Sequence, residues 1–124
     1  MNIFLRLNSE METLRKPTFL KVAEIDPNAR GVNLVAKCMS VSDPVNGVFE
    51  VVLGDDTGIV TLRSTEQCKP GSTLVLRNSR VSMFRGRLRL EIDKWGKLTS
   101  ADSAAFSVNC AKDISAVEYE LVDF

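Results

Sequence analysis

Arg85-Gly86 sits inside residues 71–96, GSTLVLRNSRVSMFRGRLRLEIDKWG, between two runs in which apolar and polar side chains alternate. A glycine at the second position of a two-residue loop supplies the positive φ that a tight hairpin demands. The sequence therefore predicts two long antiparallel strands with Phe84 opposite Arg87, Ser82 opposite Arg89 and Arg80 opposite Glu91. Period-2 alternation places Val81, Met83, Leu88, Leu90 and Ile92 on a core-facing side, and Arg80, Ser82, Phe84, Arg87, Arg89 and Glu91 on the other. Leu74 and Leu76 have the opposite parity to Val81 and Met83, which requires a bulge or sharp bend near Asn78 and Ser79. Strands bent in this way curl around small barrels. A cationic outer face with one aromatic ring suits a polyanion with stackable bases, and a merely solvated strand surface is the alternative reading.

The formal net charge is zero, so the distribution of charge matters more than its sum. Residues 77–97 carry seven basic side chains against two acids, whereas residues 98–124 carry Lys112 against five acids. The hairpin is thus a positive patch on a neutral body, followed by an acidic stretch able to sit beside it or compete for it. Cys38, Cys68 and Cys110 are odd in number and form no CxxC pair, which fits reduced thiols in an intracellular protein, nuclear or cytoplasmic. The chain has no histidine, which removes the commonest general base and the commonest zinc partner of cysteine. No apolar run reaches membrane-spanning length, so no membrane partner is expected. At 124 residues, one domain with one core is expected.

Residues 1–17 show no strand period, end in Pro17 and read as a flexible tail. Residues 18–98 read as the folded unit, and 99–124 as an extension. Residues 18–25 alternate loosely into the turn Asp26-Pro27-Asn28. Residues 32–41 form the first long strand, with Leu34, Ala36 and Cys38 inward until a bend turns Met39 and Val41 inward instead. A compact turn at 43–47 leads to a strand at 49–53. Gly54-Asp55-Asp56-Thr57-Gly58 then reverses the chain into a third strand, 59–63, with Val60 and Leu62 inward. Ser64 and Gln67 match a capping box, which predicts one helical turn before Pro70-Gly71. Beyond Gly96, residues 101–106 read as a short helix, and Val117, Tyr119 and Leu121 alternate like an additional edge strand. The sum is an all-β, five-stranded Greek-key barrel of the OB type, with a helical turn between strands 3 and 4 and extensions at both ends. A β-sandwich needs more strands.

Four runs carry a resemblance: Gly54-Asp55-Asp56-Thr57-Gly58, Lys69-Pro70-Gly71, LRNSRVSMFRG at 76–86, and Asp93-Lys94-Trp95-Gly96, joined by VEYELV at 117–122. Together they resemble the small plant-type OB-fold proteins called single-stranded-DNA-binding-like. More distantly the chain is similar to sensor-of-single-stranded-DNA subunits and replication protein A domains. The resemblance implies a groove in which bases stack on strand aromatics. Phe84 matches one such position. The others fall on Thr65, Arg80 and Glu91, so the stacking set is reduced to one ring, and the loop at 43–47 is shorter than in the plant-type proteins and carries no base.

The candidate nucleic-acid-binding residues are Phe84, Arg80, Arg85, Arg87, Arg89, Lys37, Arg63 and Trp95. Phe84 is either a base-stacking platform or a cap over the barrel mouth. Lys37 and Arg63 sit at groove-edge positions suited to phosphate or to solvent. Trp95 reads as core or a packed strand end before it reads as a platform. Phe49 reads as buried, and Asp55-Asp56 as turn chemistry rather than half a metal site. The function expected is non-catalytic binding of single-stranded DNA or RNA through the Arg-rich face, sequence-tolerant and salt-dependent, with no cofactor. The alternative is a protein-interaction OB module, a subunit of a larger nucleic-acid-handling complex. No constellation of side chains points to catalysis.

Overall fold

The computed structural model describes residues 18–120. Six strands are present: β1 (Val32–Val41), β2 (Phe49–Asp55), β3 (Gly58–Ser64), β4 (Thr73–Phe84), β5 (Arg87–Glu91) and β6 (Lys97–Ala101). The first five close on themselves in the order β1-β2-β3-β5-β4, because β4 also pairs with β1, and β6 lies outside on β4. All pairings are antiparallel except β3 with β5, which is parallel. This is the Greek-key OB barrel, and closure removes the open edges that a small sheet would otherwise expose. The tail expected over residues 1–17 lies outside the described residues. None of the described helices is long and apolar enough to cross a membrane.

The hairpin has the register its alternation predicts: Phe84 opposite Arg87, Ser82 opposite Arg89 and Arg80 opposite Glu91. Arg85 and Gly86 have φ of 54° and 80°, the doubly positive turn that matches the twist of the strands. Asn78, with φ of 53°, is the bulge that parity required: Leu34 pairs with Leu76 but Val32 with Ser79, one residue further on. The bulge lets Leu74 and Leu76 on one side of it, and Leu88 and Leu90 across from the other, enter the same core. Leu34, Leu53, Leu62, Leu76, Leu88 and Leu90 are fully buried there, each adding about 1.5–3 kcal/mol relative to exposure.

Five expectations are corrected. Met39, expected inside, is itself the extra residue of a bulge in β1, because Cys38 pairs with Leu53 and Ser40 with Val52; it is exposed, while Val41 packs on the core. Met83 is 43% exposed, one pair from the loop, although its cross-strand partner Leu88 is fully buried in the core. No helix forms between β3 and β4: Ser64 Oγ bonds both the N–H and the carbonyl of Glu66, which closes a bend instead. The helical turn is a 3₁₀ turn at Val22–Glu24. Residues 101–106 are not helical either; Ala101 ends β6 and the chain continues without regular structure. The strand expected around Val117, Tyr119 and Leu121 is a single bridge, Glu118 to Arg87, with Leu121 outside the described residues.

The Gly54–Gly58 reversal is held by Asp55, a fully buried carboxylate. Its oxygens accept from Val22 N (2.9 Å), Thr57 N (2.8 Å) and Thr57 Oγ1 (2.6 Å), while Thr57 Oγ1 accepts from Ala23 N (3.0 Å). Asp55 and Thr57 therefore cap the Val22–Glu24 turn and pin it to the β2–β3 corner. Asp56 points outward to Lys21 at 2.9 Å.

Candidate nucleic-acid interface

Phe84 ends β4 at the hairpin tip, on the outer face that also carries Arg87. Arg63, from the outer face of β3, reaches it: the guanidinium carbon lies 4.2 Å from the centre of the Phe84 ring, and that of Arg85 lies 5.2 Å away. Two shallow depressions open on either side of this group. One, of about 390 Å³, runs between Phe84 and the β1–β2 loop, where Val45 and Val48 form its apolar wall. The other, of about 340 Å³, is lined by Phe84, Arg85, Arg87 and Arg89. The arrangement offers a half-buried aromatic face with cations around it, which suits a planar base attached to a phosphate.

The positive patch is more compensated than the sequence implies. Arg63 is paired with Glu50 at 3.0 Å, Arg80 with Glu91 and with Asp93, and Arg87 with Glu118 at 3.8 Å. Arg85 forms no ion pair among the described residues. Arg89 is a different case, only 13% exposed in its side chain. Its Nη1 donates to Leu88 O (3.0 Å) and Ser115 O (3.1 Å), and Glu50 lies 3.7 Å from its Nε. It therefore holds the C-terminal part of the chain in place.

Of the other candidates, Lys37 lies away from the hairpin tip, opposite Gly54 of β2. Its Nζ donates to Phe106 O at 2.6 Å and sits 5.2 Å from the Phe106 ring. Trp95, expected as core or a strand end, is 73% exposed beside Arg80, near the middle of β4 and away from Phe84 at its end. Phe49 packs against the core as expected. The structure thus brings together Phe84, Arg63, Arg85 and Arg87, with the largely buried Arg89 lining the second depression beside them, and sets Lys37 and the pair Arg80 and Trp95 apart.

What the sequence reading missed is the path of residues 104–119. They cross the strands rather than run beside them. Ala104 N bonds Thr73 Oγ1 on β4, Asn109 N bonds Asp55 O on β2, and Ile59 of β3 bonds Lys112 and Ile114 through its N–H and carbonyl. Ser115 then spans the seam between β3 and β5, its Oγ accepting from Thr61 N (2.9 Å) and donating to Leu88 O (2.7 Å). Tyr119 N finally reaches Gly86 O at the hairpin tip. Three glycines are the sequence signal of this crossing: a Cβ at Gly54 would collide with Val108, one at Gly58 would meet Lys112 O at 2.8 Å, and one at Gly86 would meet Tyr119 O at 2.9 Å. The β3–β5 ladder itself is only two pairs long, Leu62 with Leu90 and Arg63 with Glu91, so the crossing segment closes the barrel where that ladder ends.

Residues 25–100 match the family model described as single-stranded DNA binding protein Ssb-like, OB fold. The chain belongs to this Ssb-like family. An uncharacterized protein of Arabidopsis thaliana is 36% identical over 131 residues, covering 88% of this chain and 86% of that one. The solution structure of a hypothetical protein from Arabidopsis thaliana superposes with a TM-score of 0.73 at 32% identity, over 89% of this chain and 91% of the other. Pot1pC of Schizosaccharomyces pombe, solved bound to ssDNA, shares the fold with a TM-score of 0.61 at 13% identity, over 72% of this chain and 90% of that one. The match to the Ssb-like model takes in Phe84, Arg63 and the whole hairpin, while the crossing segment 104–119 lies beyond it.

Proposed function

We propose that the protein binds single-stranded nucleic acid, DNA or RNA, without catalysis, at the tip of the β4–β5 hairpin. The observation that carries this is the half-buried Phe84 ring with Arg63 at 4.2 Å and Arg85 at 5.2 Å, between depressions of about 340 and 390 Å³. Membership of an Ssb-like family supports it, as does the Pot1pC neighbour bound to ssDNA. Phe84 stacks a base, and Arg85 and Arg87 meet the flanking phosphates. A single stacking platform contributes on the order of 1–3 kcal/mol, so binding is modest and sequence-tolerant. Three free thiols fit an intracellular setting.

The test is fluorescence anisotropy of a labelled mixed-sequence oligonucleotide of about 20 residues, longer than the footprint of ~4–16 nucleotides of one OB fold. It is titrated as DNA and as RNA at low and moderate salt. Binding that falls with salt and weakens about tenfold on Phe84→Ala supports the reading. No binding at low salt overturns it and leaves a second reading, a protein-interaction module within a nucleic-acid-handling complex. The compensation of Arg63, Arg80 and Arg87 by carboxylates favours that second reading.

A further inference from the structure

A third cavity, of about 740 Å³, lies along β4 from the hairpin tip, where Trp95, Arg30 and Arg80 surround the bulge at Asn78. The indole of Trp95 is the most exposed large apolar side chain among the described residues, and its backbone is nevertheless fixed. Trp95 O accepts from Asn78 Nδ2 (3.1 Å), Trp95 N donates to Asp93 Oδ1 (2.9 Å), and Gly96 N donates to Asp93 O (3.1 Å). Asn78 is itself held by Asn33 Oδ1 at 2.8 Å. Gly96 lies flat on this bulge, because a Cβ there would meet Asn78 O at 2.8 Å. The loop therefore displays an indole from a rigid base, with no protein side chain stacked over it except Lys94, whose Nζ is 5.2 Å from the ring centre.

The charges around the indole favour a polyanion. Arg30 is exposed and forms no ion pair among the described residues. Arg80 is bridged to Glu91 and reaches Asp93 at 4.0 Å, and Asp93 is the one acid in the cavity wall, already occupied in fixing the loop. Exposed bridges of this kind are weak and screened by salt, so a phosphate displaces them readily. Arg80, Ser82 and Phe84 follow one another along the same outer face of β4. At about 3.3 Å per residue, Asn78 lies roughly 20 Å from Phe84, within the reach of an oligonucleotide of OB-fold footprint.

The geometry points to Trp95 as a second base-stacking station, with Arg30 and Arg80 as its phosphate contacts, for the same single strand that meets Phe84. This rests on the single-strand reading above and extends it: the strand lies along β4, and affinity depends on length. The station adds a base platform outside the strands, in the loop between β5 and β6. Trp95 is the only tryptophan, so intrinsic emission reports on this station alone.

The experiment titrates the full chain with oligothymidylates of about 4 and about 12 nucleotides, following tryptophan emission and anisotropy in parallel. The expected result is quenching by the longer strand. Its affinity falls about tenfold in Trp95→Ala, to near that of the shorter strand, and its salt slope is flatter in Arg30→Ala. Both side chains are exposed, so neither variant opens the core. A 12-mer that binds by anisotropy with unchanged emission, and equally well to Trp95→Ala, overturns the inference, spares the hairpin reading and gives this face to a protein partner. Quenching that survives Phe84→Ala at unchanged affinity supports Trp95 and removes the hairpin. No binding to either strand at low salt overturns both.

Discussion

The Glu118 carboxylate lies 3.8 Å from the Arg87 guanidinium, at the point where the crossing segment meets the hairpin. The acid arrives because Tyr119 N bonds Gly86 O, which anchors the segment one residue further on. A part of the chain held by its backbone thus sets a negative charge on a cation that the proposed single-strand site assigns to a phosphate.

Glu118→Gln should therefore raise affinity for a single strand about two- to fivefold at low salt, the range of one exposed ion pair. The gain should fade as ionic strength rises, because both groups are solvated. Unchanged affinity at low salt would remove Arg87 from the contact set.

Ser115 links β3 to β5 through one hydroxyl, and its loss leaves the part-buried Thr61 N without that partner. Ser115→Ala should lower stability by about 1–3 kcal/mol, read as a shift in the urea midpoint at constant slope. A midpoint within error of the parent would mean that the seam closes without the crossing segment.

Asp55 is a fully buried carboxylate with three donors aimed at it. Asp55→Asn turns an NH₂ toward N–H groups that need an acceptor, and should cost about 3 kcal/mol or more in chemical denaturation. Asp56→Asn, one position on and exposed, should leave the denaturation midpoint nearly unchanged, because its partner Lys21 is solvated. Equal losses would contradict the separate roles of the two carboxylates.

Burial pushes the Cys38 thiol up from its ordinary 9.0 to about 11, with the neighbouring Cys68 adding to the rise. Cys68 is also raised, by burial and then by Glu66. At pH 8 only the exposed Cys110 should react with a thiol reagent in the folded protein, and all three after denaturation. Because the folded state holds the Cys38 proton more tightly than the unfolded chain, its contribution to stability is complete below pH 9 and is lost as pH rises toward 11. Cys38→Ala should remove that decline; a decline of the same steepness in the variant would assign it to other groups.

The hairpin was legible because three local signals agree: alternation over residues 81–92, a glycine where a positive φ is needed, and a parity break that only a bulge at Asn78 reconciles. The partners of its arginines were not legible. Glu50 and Glu118 come from distant parts of the chain, so a count of charge within residues 77–97 overstates the patch. Phe84 and Arg63 could each be singled out, but their contact depends on how β3 and β4 sit across β5, which alternation does not encode. Trp95 was misplaced because a tryptophan ahead of a glycine reads alike as a strand end or a displayed loop, and the hydrogen bonds from Asn78 and Asp93 decide which.

Residues 104–116 left almost no trace, since a segment that crosses strands has no period of its own. It meets β2 and β3 largely through its backbone, and among its residues only Ile114 and Ser115 are buried. Met39 and Met83 show the matching limit within strands, where one extra residue or one pair near a loop changes what the period places inside.

Closure by Ser115 has a consequence for the order in which the fold is made. A ribosome that has released β1 to β6 still holds the residues that seal β3 to β5. Until they emerge, the nascent barrel carries an unsealed cleft in which Thr61 N has only water as partner and Leu88 O lacks the Ser115 hydroxyl, a window in which a chaperone or a second unfinished chain could engage it.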